Sequence, residues 1–325
     1  MRRLLLATAA ALGLMLPAAC SGASGSGGAP DDLSSVTLRV GDQANIQQAL
    51  LRASGSLNGT PYKINWMEFP AATPLLEALR GGVVDVGVAG DAPTVNALAA
   101  SEEISIVAAN QQSERGGLAI VVPKDSPVRT VADLRGKTVS PTSQGGIGHY
   151  LLLRALEDAG LSASDVKTSF LQPTDAASAL RSGSIDAWST WDPYAAVAER
   201  EQGARVLRDA EGLASGLSCV DANNDSLADS STRAAMADFV RRYDRALDWA
   251  RTQTPAYTRA YMELTRQPES VAGVVAQRST RSGTPLTPAV TAQLQRVADD
   301  YHRFGVLRKR VVVNERVRDL TNPSS

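Results

Sequence analysis

Three segments rich in small residues stand immediately before predicted helices, and this placement favours the binding of an anion. The N–H groups of a helix's first turn have no partner within the helix, and the helix dipole is positive there, so both attract a negative group. Glycine lacks a β-carbon and lets a ligand approach the backbone closely. The segments are GDQ at residues 41–43, GDA at 90–92 and SQGGIG at 143–148.

These segments supply most of the predicted ligand contacts. The residues that we expect to contact a bound anion are Gln43, Gly90, Asp91, Ser143, Gly145, Gly146 and His149, which opens the helix after the third segment. The alternative is that the glycines only make tight turns and that Asp42 and Asp91 cap the helices that follow them. Arg115 is the one cation expected near the anion, and its alternative is a solvated loop charge.

A cluster of aromatic residues follows a predicted strand. Trp188, Trp191 and Tyr194 lie at its end, and we expect Trp188 and Trp191 to wall the apolar part of a ligand. Core packing is the alternative, more so for Trp188 than for Trp191. Asp192 and Pro193 predict a helix start, with Asp192 as a structural N-cap and Pro193 at the first helical position.

No group of side chains forms a recognisable catalytic or metal centre. The chain has two histidines, His149 and His302, in differently patterned helices, and two cysteines, Cys20 and Cys219. Structural zinc needs about four such ligands close together. Motifs of serine hydrolases, P-loop proteins and dinucleotide-binding folds are absent from the sequence. The sequence therefore predicts a protein that is not an enzyme and that needs neither a metal nor a cofactor.

The elements that position these residues alternate between strand and helix, which is typical of an α/β fold with a mainly parallel sheet. The alternation restarts after a break at residues 123–127 and becomes mostly helical over 230–308. We predict two α/β lobes, with residues 36–122 plus 220–325 in lobe 1 and residues 123–219 in lobe 2. The cleft between them, at the C-terminal ends of strands, is the expected ligand site.

The N-terminal segment predicts export and attachment to a membrane. Arg2 and Arg3 precede an uncharged apolar run that ends in LPAAC at residues 16–20. The run is shorter than the ~20 residues of a membrane-spanning helix and typical of a signal peptide. Its end resembles a bacterial lipobox, so we predict removal of residues 1–19, lipidation of Cys20 and a flexible Gly/Ser-rich tether at 20–35. Ordinary secretion with Cys20 as a spare thiol is the alternative.

The composition excludes a sequence-independent nucleic-acid binder as the function. The chain has 33 Lys and Arg against 34 Asp and Glu, a net charge of -1, whereas such a binder shows a basic excess. Hydrophobic residues make up 43% of the 325 residues, which is sufficient for a sizeable core in each of about two domains.

Two groups of motifs resemble the aliphatic-sulfonate-binding proteins of ABC importers, within the wider nitrate/sulfonate/taurine group. In the first half these are EFPA at residues 68–71, LLEAL at 75–79 and GDAP at 90–93; in the second half they are HYLLLRAL at 149–156 and DAWSTWDPY at 186–194. The resemblance runs from about residue 37 to about 315 and weakens after 220. It implies a type II periplasmic-binding fold, closure of the lobes on a small organic anion, and delivery to a membrane permease with its ATPase.

The resemblance leaves the ligand itself open. Sulfonate binders often place hydroxyl residues where this chain has Gly146, Ile147 and Gly148, and an aromatic residue where it has Asp42. A carboxylate of Asp42 in the pocket would suit a ligand that also bears an ammonium group, such as a taurine-like molecule. The predicted function is a lipid-anchored, extracytoplasmic receptor for a sulfonate. The alternatives are a receptor for taurine, nitrate or another solute, a sensor or adhesion lipoprotein, and an enzyme like thiamine-pyrimidine synthase, which the cysteine count disfavours.

Overall fold

Two β-sheets organise the chain in the computed structural model, which describes residues 32–112 and 117–321. The strands are β1 Thr37–Gln43, β2 Lys63–Phe69, β3 Val86–Gly90, β4 Ile104–Gln112, β5 Ala119–Val122, β6 Thr138–Ser140, β7 Lys167–Thr168, β8 Ala187–Thr190, β9 Arg205–Asp209, β10 Leu217–Asn223 and β11 Arg281–Thr284. The helices are α1 Ile46–Ala53, α2 Ala72–Arg80, α3 Asp91–Ala100, α4 Ile147–Asp158, α5 Pro173–Ser182, α6 Tyr194–Glu201, α7 Asn224–Ala228, α8 Ser230–Thr252, α9 Thr254–Thr265, α10 Glu269–Arg278 and α11 Pro288–Arg303.

The first sheet has six strands in the order β11-β4-β10-β3-β1-β2. Strands β1, β2 and β3 are parallel, whereas β10 runs antiparallel between β3 and β4, and β11 adds an antiparallel edge to β4. Strand β3 is a short apolar run whose side chains alternate between two core clusters: Val86 and Val88 pack with α8–α10, and Ala89 packs with α2, α3 and α11. Burial on both faces is typical of such runs.

The second sheet has five strands in the order β7-β6-β8-β5-β9. Strand β6 pairs in parallel with β7 and β8, while β5 pairs antiparallel with β8 and β9. The chain passes between the sheets twice, between β4 and β5 and between β9 and β10. Both crossings border the cavity described below.

The observed strand pairing differs from the predicted assignment at both lobe boundaries. Ala119–Val122 was expected in lobe 1 but pairs with β8 and β9 in the second sheet. Leu217 and Cys219 were expected in lobe 2 but pair with β4 in the first sheet. A short apolar run reads alike in either sheet, and only its hydrogen-bonding partner decides its place. We propose, and use below, lobe 1 as residues 32–112 with 217–321 and lobe 2 as residues 119–209.

Two other sequence expectations change in the structure. The helix expected to open at His149 begins two residues earlier, at Ile147. The mostly helical stretch after residue 230 contains a strand, β11, between α10 and α11. No helix in the described ranges combines the length and the apolar character that crossing a membrane requires.

One carboxyl group is enclosed in the core of lobe 1. Asp221, in the middle of β10, is 0% exposed, and Thr94 Oγ1 donates to its Oδ2 at 2.7 Å. Its Oδ1 has no hydrogen-bond partner among the residues that the structure describes. Burial raises the pKa of this carboxyl to about 8, because the interior disfavours the charged form.

We predict that the protein becomes more stable as the pH falls from 8.5 to 5.5. The folded state keeps Asp221 protonated up to about pH 8, whereas an unfolded Asp titrates at about 3.9. This stabilisation is therefore complete below the unfolded value and is lost as the pH rises through the folded one. Asp221→Asn, which resembles the protonated form, should reduce the change in melting temperature between the two pH values.

Thermal unfolding at both pH values measures this effect, and about 1 kcal/mol corresponds to ~2–4 °C in a protein of this size. Asp125→Asn, at an exposed turn position, is the matched control and should keep the wild-type pH dependence. Burial also raises the pKa of Asp42 to about 7 and of Asp192 to about 6, so part of the dependence remains in Asp221→Asn. An unchanged dependence in that variant would contradict the assignment.

Candidate functional site

A cavity of about 380 Å³ lies between the two lobes, within the range of sites that hold small organic ligands. Its walls include the C-terminal ends of β1, β3 and β4 and both crossings between the sheets. The predicted contact residues that line it are Gln43, Gly90, Asp91, Ser143, Gly146 and Trp191. Gly145, His149 and Trp188 are not part of its lining.

The first turn of α1 is capped by the side chain of Asp42. Asp42 Oδ1 accepts from the N–H of Gln47 at 3.1 Å, and Oδ2 accepts from the N–H of Gln48 at 2.8 Å. The carboxylate is buried and does not line the cavity. Of the two roles that the sequence leaves open for Asp42, the structure supports capping, because its oxygens accept from donors in the first turn of the helix.

The side chain of Asp91 caps the first turn of α3 in a similar way. The N–H of Ala92 donates to Asp91 Oδ1 at 2.6 Å, and Ser215 Oγ donates to Asp91 Oδ2. The next residue, Pro93, has no N–H to offer. Asp91 does line the cavity, as predicted, but a ligand meets a carboxylate there rather than an open helix terminus.

The start of α4 differs from those of α1 and α3 in having no capping carboxylate. The N–H of Gly146 donates to Ser143 O at 3.2 Å, and the N–H of Gly145 donates to His149 Nδ1 at 3.2 Å. No acceptor in the described part of the chain takes up the N–H of Ile147, the first residue of the helix, which lines the cavity. The backbone donor is therefore Ile147 rather than Gly145 or Gly146.

Close packing around this loop requires glycine at two positions. Gly145 has a φ of +73°, and a β-carbon there would overlap the amide of Asn96. A β-carbon on Gly148 would overlap Ser189 O, against which the start of α4 is packed. Hydroxyl-bearing residues have no room at these two positions, so the backbone presents the donor instead.

His149 belongs to the interior and not to the ligand site. Its ring packs edge-on against Phe170, with ring centroids 5.4 Å apart, and near Tyr301. Its Nδ1 accepts a backbone hydrogen bond from Gly145, which requires an unprotonated nitrogen. Burial lowers the pKa of His149 to about 4, so the ring is neutral at ordinary pH and supplies no charge to an anion.

The two tryptophans of the aromatic cluster have different environments. Trp188 is 1% exposed and packs in the core of lobe 2, where its Nε1 donates to Thr142 Oγ1 at 3.4 Å. Trp191 is half-buried, lines the cavity and meets Tyr194 edge-on, with centroids 5.8 Å apart. Trp191 therefore lies where a ligand wall is possible, and its role there stays a prediction, whereas Trp188 has the core packing that was its alternative.

Neutral donors were expected from Gln43 and Ser143. Gln43 lines the cavity, but its Nε2 donates to Val88 O at 2.6 Å, so its amide hydrogens are partly committed. Ser143 Oγ accepts from Thr73 Oγ1 at 3.1 Å across the two lobes. Because the hydroxyl of Ser143 serves as the acceptor in that contact, its own hydrogen is available to a ligand.

The cations of the site come from the C-terminal part of lobe 1, which the sequence had not suggested. Arg281, the first residue of β11, lines the cavity. Its Nη1 donates to Asn110 Oδ1 at 3.3 Å and to Gly216 O at 3.1 Å, and within the described ranges it forms no salt bridge. Burial lowers its pKa. Arg115, the cation expected here, lies outside the described residues.

A second arginine at the cavity joins the two lobes. Arg278, the last residue of α10, donates to Glu199 Oε1 at 2.7 Å and to Oε2 at 3.1 Å. Its Nη1 also lies 3.5 Å from Asp192 Oδ1. Nothing in the local sequence distinguishes Arg278 or Arg281 from an ordinary charged residue at the end of a helix. The segment TRSGT at residues 280–284 is poor in helix formers and precedes a proline. This composition was the one local indication that the helical pattern is interrupted here.

Asp192 is not the N-cap of α6, a position that Pro193 occupies. Its Oδ1 instead accepts from the N–H of Ala196 at 3.0 Å, so the expected structural role is retained by a different contact. The carboxyl also lines the cavity. Burial raises its pKa to about 6, and the charge of Arg278 opposes that rise.

Across residues 32–112 and 117–321, no three His, Cys, Asp or Glu side chains come together as a metal-ligand set. The second cysteine, Cys219, is a free thiol buried in β10, and burial raises its pKa well above the ordinary value. A thiol held protonated in the core is a poor nucleophile.

Comparison with known proteins agrees with this geometry. The family model "NMT1/THI5 like" matches residues 68–255. An aliphatic sulfonates-binding protein of Escherichia coli (strain K12) is 40% identical over 179 residues, which cover 54% of this chain and 56% of the relative. A protein of the same name from Bacillus subtilis (strain 168) is 25% identical over 311 residues, 93% of this chain and 91% of the relative.

A solved structure is similar over almost its whole length. The alkanesulfonate-binding protein SsuA from Xanthomonas axonopodis pv. citri, bound to MOPS, has 30% identity and a TM-score of 0.79, and the match covers 87% of this chain and 98% of that one. These relatives are binding proteins, so they confirm the periplasmic-binding-protein fold and the prediction that the chain is not an enzyme.

We predict opposite outcomes for the two tryptophans. Trp188→Ala opens a void in the core of lobe 2 and should lower the free energy of unfolding by ~3–5 kcal/mol. Trp191→Ala removes a ring that is half exposed to the cavity, so it should lower that free energy far less and mainly weaken ligand binding. Denaturant-induced unfolding of both variants measures the difference. Equal destabilisation would mean that Trp191 also serves as core.

Proposed function

The chain belongs to the NMT1/THI5-like family, and from this premise we propose that it is an extracytoplasmic solute-binding protein for an aliphatic sulfonate or a similar small organic anion. The observation that carries the proposal is the presence, in one cavity, of the Arg281 guanidinium, which forms no salt bridge in the described ranges, and the open N–H of Ile147. A sulfonate is permanently ionised and offers three acceptor oxygens, which suits this pair of donors.

The energy of recognition comes from a few fixed donors. A helix N-terminus that is partly buried contributes up to ~2 kcal/mol to the binding of an anion, and a hydrogen bond to a charged group contributes ~1.5–3 kcal/mol. The hydroxyl of Ser143 adds a third, neutral donor. The half-buried ring of Trp191 and the neighbouring apolar side chains then take the carbon chain of the ligand.

Closure of the lobes provides the signal that a permease reads. Polar contacts join the lobes, among them Thr73 to Ser143 at 3.1 Å, Tyr194 to the carbonyl of Pro70 at 2.7 Å, and Arg278 to Glu199. A ligand held by donors of both lobes, such as Arg281 in lobe 1 and Ile147 in lobe 2, favours the arrangement in which these contacts form.

We further propose that the protein is a lipoprotein of an ABC importer. The signal peptide at residues 1–19, the lipidated Cys20 and the tether at 20–35 lie outside the described residues, and they are supported by the lipobox-like sequence alone. The permease and ATPase are supported by the resemblance to importer components. Taurine, nitrate and other small solutes remain the alternative ligands, and a sensor without transport is the alternative role.

We predict that Arg281→Gln weakens sulfonate binding by at least ~10-fold, which corresponds to ~1.4 kcal/mol. The substitution removes the positive charge but retains a polar side chain that can hold the carbonyl of Gly216. Isothermal titration with propanesulfonate, butanesulfonate and MOPS, alongside nitrate, measures the change. Arg296→Gln, at an exposed position of α11, is the control and should bind as the wild type does.

Ile147→Pro tests the backbone donor separately. Proline is favoured at the first position of a helix, and Gly146 already has the extended backbone (φ -83°, ψ 168°) that precedes proline, so the helix should be retained. The variant removes one N–H, and we expect it to bind sulfonate more weakly than Ile147→Val, which keeps that N–H. Equal affinity of these two variants would show that the terminus of α4 does not hold the anion.

We predict that Cys20→Ser releases the protein from the membrane. Lipidation requires the thiol, so the variant should appear in the soluble extracytoplasmic fraction while the wild type stays in the membrane fraction. Fractionation and mass spectrometry of the wild-type N-terminus measure this. A membrane-bound variant together with an unmodified wild-type Cys20 would contradict the anchoring proposal.

A further inference from the structure

A tyrosine of lobe 1 reaches the start of α4 in lobe 2. Tyr301 lies in the last turn of α11 and is 0% exposed, and its hydroxyl donates to the carbonyl of Gly146 at 2.7 Å. Gly146 is the N-cap of α4, and its carbonyl also accepts the N–H of Tyr150 at 3.1 Å. Burial raises the pKa of Tyr301 well above its ordinary value, so the hydroxyl keeps its proton and remains a donor.

The peptide group that Tyr301 contacts is the one that carries the open N–H of α4. The carbonyl of Gly146 and the N–H of Ile147 belong to one planar trans unit, so the two bonds point in opposite directions. This N–H meets no acceptor within residues 32–112 and 117–321, and Ile147 lines the cavity. An anion bound there and the hydroxyl of Tyr301 would therefore occupy the two ends of a single peptide group.

A donor at the carbonyl end of a peptide group affects its N–H end in two ways. It restricts the rotation of the peptide plane, so the direction of the N–H is fixed before a ligand arrives. It also polarises the amide, since each bond in a chain of hydrogen bonds strengthens its neighbour by ~10–30%. Both effects favour the binding of an anion without adding a contact to it.

The packing of α11 fixes the position of this hydroxyl. Leu294 and Val297 lie at helical spacing from Tyr301, and all three pack in the core cluster of α2 and α3. The ring of Tyr301 meets that of Tyr150 edge-on, with centroids 5.4 Å apart. The adjacent Asp300 accepts from the hydroxyl of Tyr150 at 2.8 Å, which joins α11 to α4 a second time.

We propose that Tyr301 is a positioning residue for anion binding, because its hydroxyl orients and polarises the peptide group between Gly146 and Ile147 whose N–H holds the sulfonate. This rests on the proposed function and adds to it a residue outside the cavity lining. Tyr301 lies 155 residues from Gly146 along the chain, so nothing in the sequence around the α4 loop indicates this role.

Isothermal titration of Tyr301→Phe with propanesulfonate and MOPS tests the proposal. The variant keeps the ring and leaves the carbonyl of Gly146 bonded to the N–H of Tyr150, so the fold should be retained. We expect the affinity to fall by at least ~3-fold, which corresponds to ~0.7 kcal/mol. In the Ile147→Pro background, which lacks the N–H, the same substitution should cause no further loss.

Tyr150→Phe is the matched control. It also removes one tyrosine hydrogen bond between α4 and α11, but Arg154 still donates to Asp300 at 2.7 Å, and the variant should bind sulfonate as the wild type does. Equal losses in the two tyrosine variants would overturn the proposal, because the hydroxyl of Tyr301 would then act through the association of the lobes. A loss that persists in the Ile147→Pro background would overturn it for the same reason.

The amide resonance of Ile147 provides a second measurement that needs no ligand. Nitrogen-15 labelling of isoleucine reports on this peptide group, and the signal is assigned from its absence in Ile147→Val. A hydrogen bond at the carbonyl deshields the amide nitrogen, so the resonance should move upfield in Tyr301→Phe and remain in place in Tyr150→Phe. An unmoved signal in Tyr301→Phe would contradict the positioning role.

Failure of this inference is distinguishable from failure of the proposed function. Equal sulfonate affinity of the wild type and Tyr301→Phe overturns the role of Tyr301 and leaves sulfonate binding intact. A wild type that binds neither propanesulfonate nor MOPS contradicts the proposed function and this role together.

Discussion

The placement of the Arg281 guanidinium is the interaction on which the organisation of the site depends. Its Nη1 contacts Asn110 at the end of β4 and the carbonyl of Gly216 in the returning crossing, so it ties β11, β4 and that crossing together. A cation held among neutral acceptors is costly to bury. Within the described ranges the guanidinium forms no salt bridge, and the charge of Asp91 favours its charged form from a greater distance; an anion in the cavity would reduce the remaining cost.

The remaining helix termini make the site selective. Asp42 accepts from the N–H groups of Gln47 and Gln48 in the first turn of α1, and Asp91 accepts from that of Ala92 in α3, so a carboxylate at the start of each helix opposes the approach of an anion. The start of α4 is left open at Ile147 because its preceding loop uses Ser143 and His149 as internal acceptors. The cavity wall thus carries Arg281 and the start of α4 together with the carboxyl-bearing residues Asp91 and Asp192.

Polar contacts across the lobes place these groups in one cavity. Arg278 reaches from α10 to Glu199 on α6, and Tyr194 reaches from α6 to the carbonyl of Pro70. Each pair joins residues far apart in the sequence, and Arg278 also lines the cavity. The binding of a ligand and the association of the lobes are for this reason coupled: what stabilises one arrangement stabilises the other.

The sequence by itself determined the α/β architecture, the glycine-rich loop before α4 and the aromatic position of Trp191, because local periodicity, glycines and the strand-to-helix order are sufficient for these features. Tertiary structure alone decided that Trp188 packs in the core, that β5 pairs in the second sheet, and that Asp42 caps a helix. It also decided that the cations come from Arg278 and Arg281. An aspartate before a helix can cap it or face a ligand, and an arginine far along the chain joins the site only when its strand pairs with β4. These choices depend on contacts between distant residues, which no local pattern encodes.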